Sequence, residues 1–293
     1  MATREQWIQG ARPLTLPAAI SPVLIGTAIA KYEGGLDLII AFCALIVALG
    51  LQVGVNYAND YSDGIRGTDD DRVGPIRLVG QGLVPAHQVK NAAFLSFAIA
   101  AGAGLIMVAL SGLWVLLPIG IAAVGAAWFY TGGKNPYGYL GFGELFVFNF
   151  FGLVAVMGTT SAQTGSFSLT ALLYGISCGA LSAAILVANN LRDIETDSQS
   201  GKKTLAVRLG DRWTRELYKA FIAIAFFMPV ISTFRGDGPM YAYVSLFAIL
   251  SARYPLHLIQ TGKTGYELIP VLTFTGRLLL VFAVISSISI SFS

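Results

Sequence analysis

Long apolar segments separated by short polar ones form the main pattern along this chain. A helix that crosses the hydrocarbon core of a membrane needs about 20 apolar residues, and charges inside it are costly, so charge-free intervals predict the spans. Single spans are predicted at Leu14–Ala30, Leu38–Tyr57, Leu217–Phe234, Met240–Leu258 and Ile269–Ser291.

Two longer intervals each predict a pair of helices. Residues 91–133 and residues 145–191 contain no Asp, Glu, Lys or Arg, and turn signals break them at Ser111–Gly112 and at Thr164–Ser166. These four helices bring the predicted total to nine. The sequence therefore predicts an all-α polytopic membrane protein with nine transmembrane helices.

The composition supports a membrane protein and excludes several other classes. The chain of 293 residues is 55% hydrophobic and 12% charged, whereas soluble globular proteins carry about 25% charged residues. A disordered chain, a secreted disulfide scaffold and an ordinary cytosolic enzyme do not fit these values. Cys43 and Cys178 lie in apolar segments and are interpreted as small hydrophobic residues.

The distribution of Lys and Arg predicts the orientation. On the nine-span map, 16 of them fall on one side and only Lys31 and Arg235 on the other, so the amino terminus is predicted to be cytoplasmic. The net charge of +3 then reflects orientation, and no nucleic-acid partner is expected. A signal peptide is the alternative for the first apolar segment, but Pro17 and Pro22 are unusual in one.

Two acidic segments follow apolar helices on the predicted cytoplasmic side, and each combines an asparagine with two aspartates. Asn56 and Asn189 are 133 positions apart, and so are Asp60 and Asp193, which predicts two related halves, about 1–140 and 141–293, in a single domain. Residues three or four apart share one face of a helix, so each set is expected to direct its oxygens toward one point. The sets are Asn56, Asp60 and Asp63, and Asn189, Asp193 and Asp197.

This combination of side chains favours Mg²⁺ and a phosphate ligand. Carboxylate and amide oxygens without nearby His or Cys suit a hard cation, and His87 and His257 are isolated. Lysines and arginines follow both sets, which points to a diphosphate held by metal on one side and by cations on the other. The alternative is that these cations only follow the topology. The candidate diphosphate-binding residues are Arg66, Arg72, Lys202 and Lys203.

Four strings resemble the UbiA superfamily of intramembrane prenyltransferases. The strings NDYSDGIRGTD (Asn59–Asp69) and RDIETDSQSGKKTLAVRLG (Arg192–Gly210) are similar to its two aspartate-rich motifs. With RPLTLPAAISPVLIGTA (Arg12–Ala28) and YTGGKNPYGYLGFGE (Tyr130–Glu144), they are most similar to the branch that prenylates 1,4-dihydroxy-2-naphthoate in menaquinone synthesis.

The resemblance implies that the nine helices surround a central cavity, open sideways to lipid, for a polyprenyl chain. It also implies roles for the acidic residues. Asp60 and Asp63 would hold one Mg²⁺, and Asp193 and Asp197 another, with Asn56 and Asn189 assisting. These four aspartates are the expected catalytic residues. The commoner superfamily pattern, NDxxDxxxD, departs here at its last position, which is Gly67, and Asp69 is the candidate replacement ligand.

The expected reaction is ionisation of an allylic diphosphate followed by attack of an electron-rich aromatic carbon on the carbocation. Mg²⁺ and cations stabilise the leaving diphosphate, and apolar helices exclude water. The resemblance also implies decarboxylation of 1,4-dihydroxy-2-naphthoate to give demethylmenaquinone. Lys134 and Tyr139 are the candidate acceptor-binding residues, and the alternative for this loop is a glycine-rich connector.

Two other functions stay open at this point. Another aromatic acceptor such as 4-hydroxybenzoate is the nearer alternative, and a cation-coupled secondary transporter is the alternative of a different class. The expected partners are polyprenyl diphosphate, the aromatic acceptor and the lipid bilayer, with no obligate protein partner. The expected location is the cell membrane, with the active site facing the cytoplasm. Arg277 interrupts the last span and needs an acidic or phosphate partner that the sequence does not identify.

Overall fold

All regular secondary structure in the described residues (2–67, 76–236 and 238–293) of the computed structural model is helical. The first half of the chain contains two short 3₁₀ turns, Pro13–Thr15 and Tyr137–Leu140, and five longer helices. These helices are α1 (Arg4–Gly10), α2 (Pro17–Tyr32), α3 (Leu38–Gly64), α4 (Ala86–Ser111) and α5 (Leu116–Phe129).

Six helices form the remainder. Three of them change type along their length: α6 contains a π-helical segment at Asn149–Val154, and 3₁₀ helices begin α10 at Ala242–Ala252 and α11 at Gly265–Leu268. The six are α6 (Gly143–Thr164), α7 (Leu169–Arg192), α8 (Ile194–Gln199), α9 (Leu205–Phe234), α10 (Ala242–Gln260) and α11 (Gly265–Ser291).

Seven of these helices are long and apolar enough to cross a membrane, by length and composition: α3, α4, α6, α7, α9, α10 and α11. An eighth candidate is the pair Arg4–Thr15 and Pro17–Tyr32, which is bent by 52°. The remaining predicted span is α5, whose 14 residues cover about 21 Å, less than the roughly 30 Å of a hydrocarbon core. A multi-pass membrane protein is confirmed, and the count of nine stays a prediction.

Glycines end the helices at the two predicted breaks. Gly112 follows α4 with φ 67°, and Gly165 follows α6 with φ 75°. A glycine adopts this left-handed conformation without the steric cost that a Cβ brings, so it is a common residue just after a helix. The turn signals therefore divide both long intervals as predicted.

Helix α7 lies at the centre of the molecule. In its apolar stretch 78% of the residues are buried, against 33–44% in the other candidate spans. It packs against α6, α9 and α11. At the crossing with α6 the backbones touch, since a Cβ on Gly152 would lie 2.4 Å from the Cα of Gly179. Small residues allow this close approach, and it holds the carboxyl end of α7 beside the cavity.

Candidate active site

A cavity of about 680 Å³ lies among helices α2 to α7. Apolar residues from the middle of these helices form most of its lining. Several of its polar lining residues come from the carboxyl ends of α3 and α7, from α8 and from the loop after α8. They include Asn56, Asn59, Asp63, Asn189, Asp197 and Lys202.

The two acidic segments meet at Lys202. Its Nζ lies 3.8 Å from a carboxylate oxygen of Asp63 and 3.9 Å from one of Asp197. All three side chains are buried or nearly so. The predicted convergence of the two segments is therefore present in the fold, and one ammonium group lies between a carboxylate from each.

Asp63 has two further neighbours. The hydroxyl of Tyr139 donates a hydrogen bond to its Oδ1, and a guanidinium nitrogen of Arg77 lies 3.9 Å from its Oδ2. The ring of Tyr139 also lies under Lys202, whose Nζ is 4.8 Å from the ring centroid. Cations are attracted to the face of an aromatic ring, so Tyr139 contacts a charged residue of each acidic segment.

Asp60 binds the backbone of the segment that follows Arg77. Its carboxylate accepts hydrogen bonds from the backbone N–H groups of Leu78 (2.7 Å) and Val79 (3.0 Å). Only 1% of Asp60 is exposed. Asp60 does not line the cavity, and in this conformation each of its oxygens already accepts a hydrogen bond, while keeping a second lone pair for another partner.

Asp193 forms a bidentate ion pair with its neighbour. The Nε and Nη2 atoms of Arg192 lie 2.6 and 2.7 Å from its two oxygens, and Nη2 also donates to Asn189 at 2.9 Å. Asp193 is also where α7 ends, with φ −97° and ψ 8°. The first acidic set lies on one helix as predicted, but the expectation of one continuous helical face is wrong for the second, because Asp197 belongs to α8.

Asn56 binds the amino-terminal segment. Its Nδ2 donates to the carbonyl oxygen of Ala11 (2.9 Å) and to Thr15 (3.0 Å), and its Oδ1 accepts from Gln52 at 3.4 Å. These bonds hold Arg12, which lines the cavity. Its φ of 54° makes Arg12 the one non-glycine residue with positive φ in the described part of the chain. Sequence reasoning assigned Arg12 only to topology.

The other predicted cation positions differ in their surroundings. The guanidinium of Arg66 donates to the carbonyl oxygens of Thr131 and Gly133 and lies 5.4 Å from the centroid of the Tyr139 ring. The side chains of Lys134 and Lys203 are exposed and do not line the cavity. Arg72 and Asp69 fall outside the described residues.

Sequence reasoning missed a buried pair beside the cavity. Asn190 lines the cavity and donates a hydrogen bond to Oε1 of Glu144 at 2.8 Å. Glu144 is 4% exposed, and its Oε2 has no hydrogen-bond partner among the described residues. Asn190 lies three residues before Asp193 in the sequence, so helical spacing could have marked it as a candidate site residue. No sequence pattern, however, pairs Asn190 with Glu144.

Aromatic rings form one wall of the cavity. Tyr137 contacts Tyr130 at 5.5 Å and Phe146 at 4.0 Å between ring centroids, and Phe150 continues the row. Burial, together with the nearby charge of Glu144, raises the pKa of Tyr130 well above its ordinary value, and burial raises the pKa of Tyr137. Both hydroxyls are therefore neutral at physiological pH and leave an uncharged π-rich surface.

The donor set can accommodate a hard cation. No three His, Cys, Asp or Glu side chains within the described residues form a metal cluster by themselves. However, the side chains of Asp63, Asp197 and four asparagines line the same cavity, while both histidines are exposed and both cysteines buried. An ion such as Mg²⁺ keeps several waters or phosphate oxygens as ligands and needs few from the protein.

The chain matches the model of the UbiA prenyltransferase family over residues 19–266. It is 49% identical to the 1,4-dihydroxy-2-naphthoate octaprenyltransferase of Mycobacterium tuberculosis, over 97% of this chain and 96% of that one. It is also 39% identical to the enzyme of the same name from Escherichia coli, over 71% of this chain and 69% of that one.

The fold is similar to that of solved structures. One is a UbiA homologue from Archaeoglobus fulgidus bound to GPP and Mg²⁺, with a TM-score of 0.72 and 14% identity over 98% of this chain and all of that one. Another is the apo structure of a UbiA homologue from Aeropyrum pernix, with a TM-score of 0.72 and 17% identity over 97% and 98%.

Proposed function

Because the chain belongs to the UbiA prenyltransferase family, we propose that it transfers a polyprenyl group from polyprenyl diphosphate to 1,4-dihydroxy-2-naphthoate, with loss of CO₂. The immediate product is the quinol (reduced) form of demethylmenaquinone. The chain is a membrane prenyltransferase, and the acceptor assignment is supported by relatives that match nearly its full length. Membership of this family argues against the secondary-transporter alternative.

The observation that carries this function is the contact of Lys202 with both acidic segments at the polar end of a largely apolar cavity. A polyprenyl diphosphate has the same division into a charged head and an apolar chain. The head would lie against Asp63, Asp197, Lys202 and Arg77, and the chain among the apolar helices.

We propose Mg²⁺ as the cofactor, and the structure of the A. fulgidus homologue with GPP and Mg²⁺ supports this. Asp63 and Asp197 would hold it directly, and Asn56, Asn189, Asp60 and Asp193 complete the proposed ligand set, to which Asp69 would add. When bound, Mg²⁺ would neutralise the negative charge that develops on the departing diphosphate.

The cations of the chain would share the stabilisation of the diphosphate. Lys202 and Arg77 are buried and line the cavity, so their charges act in a medium where water screens them little. Arg66, Arg72 and Lys203 are the further proposed diphosphate ligands. Of these, Arg66 and Lys203 lie at the outer edge of the site, where they would guide the head group inward.

The aromatic wall and the apolar lining would protect the allylic carbocation. Ring faces attract cations, and the scarcity of water prevents capture of the cation by hydroxide or water. Attack by the ring carbon of the acceptor forms the new C–C bond, while the electron pair of the broken C–O bond leaves with diphosphate. Loss of CO₂ from that carbon then returns an electron pair to the ring.

For the acceptor we retain Tyr139 and Lys134 as proposed ligands. Tyr139 lines the cavity and donates its hydroxyl to Asp63, so its ring is the part available to the acceptor. The exposed Lys134 would reach the acceptor carboxylate only from the cytoplasmic mouth of the cavity.

For the topology we propose nine spans, with the amino terminus and the active site facing the cytoplasm of the cell membrane. The excess of Lys and Arg on the active-site side supports this orientation. The whole chain would form a single domain of two related halves, about 1–140 and 141–293, consistent with the packing of α2 against α6 and α11. No obligate protein partner is proposed.

A direct assay tests the reaction. Purified protein is given Mg²⁺, a polyprenyl diphosphate and either 1,4-dihydroxy-2-naphthoate or 4-hydroxybenzoate, and diphosphate and CO₂ release are measured with and without EDTA. Equal release of both products with the naphthoate, abolished by EDTA and restored by Mg²⁺, is expected. Preferential turnover of 4-hydroxybenzoate without CO₂ would overturn the acceptor assignment.

A further inference from the structure

Arg277 is a charged residue on the outer surface of a membrane-spanning helix. It lies in α11, and its side chain is exposed. Its guanidinium carbon is 5.0 Å from the centroid of the Phe274 ring. No hydrogen bond or ion pair connects the side chain of Arg277 to another of the described residues. The buried acidic partner that the sequence allowed is therefore not found among the described residues.

The depth of Arg277 places its charge near the membrane surface. The helix continues from Arg277 to Ser291, a rise of about 21 Å, so the Cα of Arg277 lies inside a hydrocarbon core about 30 Å thick. A long side chain in a helix extends toward the amino-terminal end and can bring its charge to the interface. Phe274 lies one turn away in that direction.

The amino-terminal end of α11 is on the active-site side of the membrane. Arg215, near the start of α9, donates hydrogen bonds to the carbonyl oxygens of Ile259 (2.8 Å) and Lys263 (2.7 Å), in and after α10. The same region of α9 follows the loop that carries Lys202. Arg277 therefore extends toward the leaflet in which the diphosphate head group is bound.

Phe274 lies beside the guanidinium, and a second aromatic residue packs against Phe274. Tyr254 of α10 contacts Phe274 with ring centroids 4.6 Å apart and an interplanar angle of 65°, and Tyr254 is 47% exposed. Aromatic residues with one polar end are enriched where lipid meets water. A guanidinium keeps its charge under all physiological conditions and binds phosphate in a bidentate manner.

We propose that Arg277, with Phe274 beside it and Tyr254 against Phe274, binds the phosphate group of a phospholipid in the leaflet that faces the active site. An ionised group at the edge of the hydrocarbon needs an opposite charge, and in this position the lipid supplies it. The site is separate from the cavity, because Arg277 does not line it.

Native mass spectrometry of the purified full chain in detergent tests this proposal, with dioleoylphosphatidylglycerol as the probe. The wild type is expected to hold one lipid that Arg277→Gln binds at least tenfold more weakly. Dioleoylglycerol, which lacks the phosphate, should bind both proteins equally weakly. Arg212→Gln is the matched control, since Arg212 is also exposed and lies 5.7 Å from the Trp213 ring, and it should bind like the wild type.

Equal affinity of the wild type and Arg277→Gln for phosphatidylglycerol would overturn the proposal. Loss of geranyl diphosphate binding in Arg277→Gln, with lipid binding intact, would assign the residue to the substrate instead. Arg277→Leu is a second uncharged variant that a lipid-facing position tolerates well, and it should lose the same lipid. Both variants should keep the wild-type turnover in lipid-free detergent.

Discussion

Lys202 and Lys203 are adjacent in sequence but occupy different surroundings. Lys202 lies between Asp63 and Asp197, whereas Lys203 is exposed. We expect Lys202→Ala to raise the KM for the prenyl donor at least tenfold, because a buried cation facing the diphosphate is lost, corresponding to about 1.4 kcal/mol or more. Lys203→Ala should change the same KM by less than threefold. Steady-state kinetics with varied donor concentration measure both.

The reverse order, with Lys203→Ala as the more damaging change, would place the diphosphate at the mouth of the cavity. It would also remove Lys202 from the proposed site.

Asp60 and Asp63 should differ in what their loss does to the protein. Asp63→Asn is expected to lower turnover at least a hundredfold and to leave the thermal unfolding temperature in detergent nearly unchanged. Asp60→Asn should lower both turnover and stability, because Asn offers one acceptor oxygen for the two backbone N–H groups of Leu78 and Val79. Losing one such bond costs about 1–3 kcal/mol.

Full Mg²⁺-dependent turnover in either variant would contradict the metal assignment. An unchanged unfolding temperature in Asp60→Asn would show that its hydrogen bonds to the backbone are unimportant for the fold.

The pair formed by Glu144 and Asn190 is expected to position the Asn190 amide at the wall of the cavity. Glu144→Gln keeps an acceptor for the Asn190 Nδ2 and should keep turnover within threefold, whereas Glu144→Ala should lower it at least tenfold. The measurement is turnover at saturating donor, with acceptor KM as a second readout. If Glu144→Gln is as damaging as Glu144→Ala, the carboxylate acts through its charge or proton and not through position.

The crossing of α6 and α7 depends on the absence of side chains. A Cβ on Gly152 would approach the Gly179 backbone to 2.4 Å, so Gly152→Ala must push the helices apart, at a cost of about 1–3 kcal/mol. Gly102→Ala in α4 is the matched control, because no atom would lie within 4 Å of its Cβ. Thermal unfolding in detergent should show a lower midpoint for Gly152→Ala only. Equal midpoints for the two variants would show that this close contact does not contribute to stability.

The sequence predicted where helices break better than how far they extend. Gly112 and Gly165 ended α4 and α6 as expected, because their turn chemistry is local. Helix α3 continues seven residues beyond the predicted span to Gly64, and α9 begins at Leu205, twelve residues before it. Charge-free intervals measure only the part that lies in hydrocarbon, and a helix with polar residues can continue beyond it.

Whether α5 crosses the membrane determines the topology of the whole molecule. Nine spans require Trp114 and Asn135, which flank α5, to lie on opposite sides of the membrane. Both side chains are exposed, so we expect a membrane-impermeant maleimide to label Trp114→Cys in intact cells and Asn135→Cys only after permeabilisation. The native Cys43 and Cys178 are buried and provide the low background. Labelling of both sites under the same condition would show that α5 does not cross.

The convergence of the two acidic segments was predictable from their matched spacing, but their contacts were not. Asn56 donates to Ala11, 45 residues away, and Glu144 accepts from Asn190, 46 residues away. Such pairs depend on how helices pack, and no local pattern specifies packing. In the sequence, Arg192 marks only the end of the charge-free interval 145–191. In the structure it forms an ion pair with Asp193 next to it.

The division of the cavity into a charged end and an apolar remainder has a consequence for reversibility. The two large products separate into different phases: diphosphate dissolves in water, and the prenylated quinol dissolves in the hydrocarbon of the bilayer. A back-reaction would need both to return to one enzyme molecule at the same moment, in addition to CO₂. Partitioning of the products into separate phases therefore opposes the back-reaction. Stiffening the bilayer should slow release of the prenylated product and leave release of diphosphate unaffected.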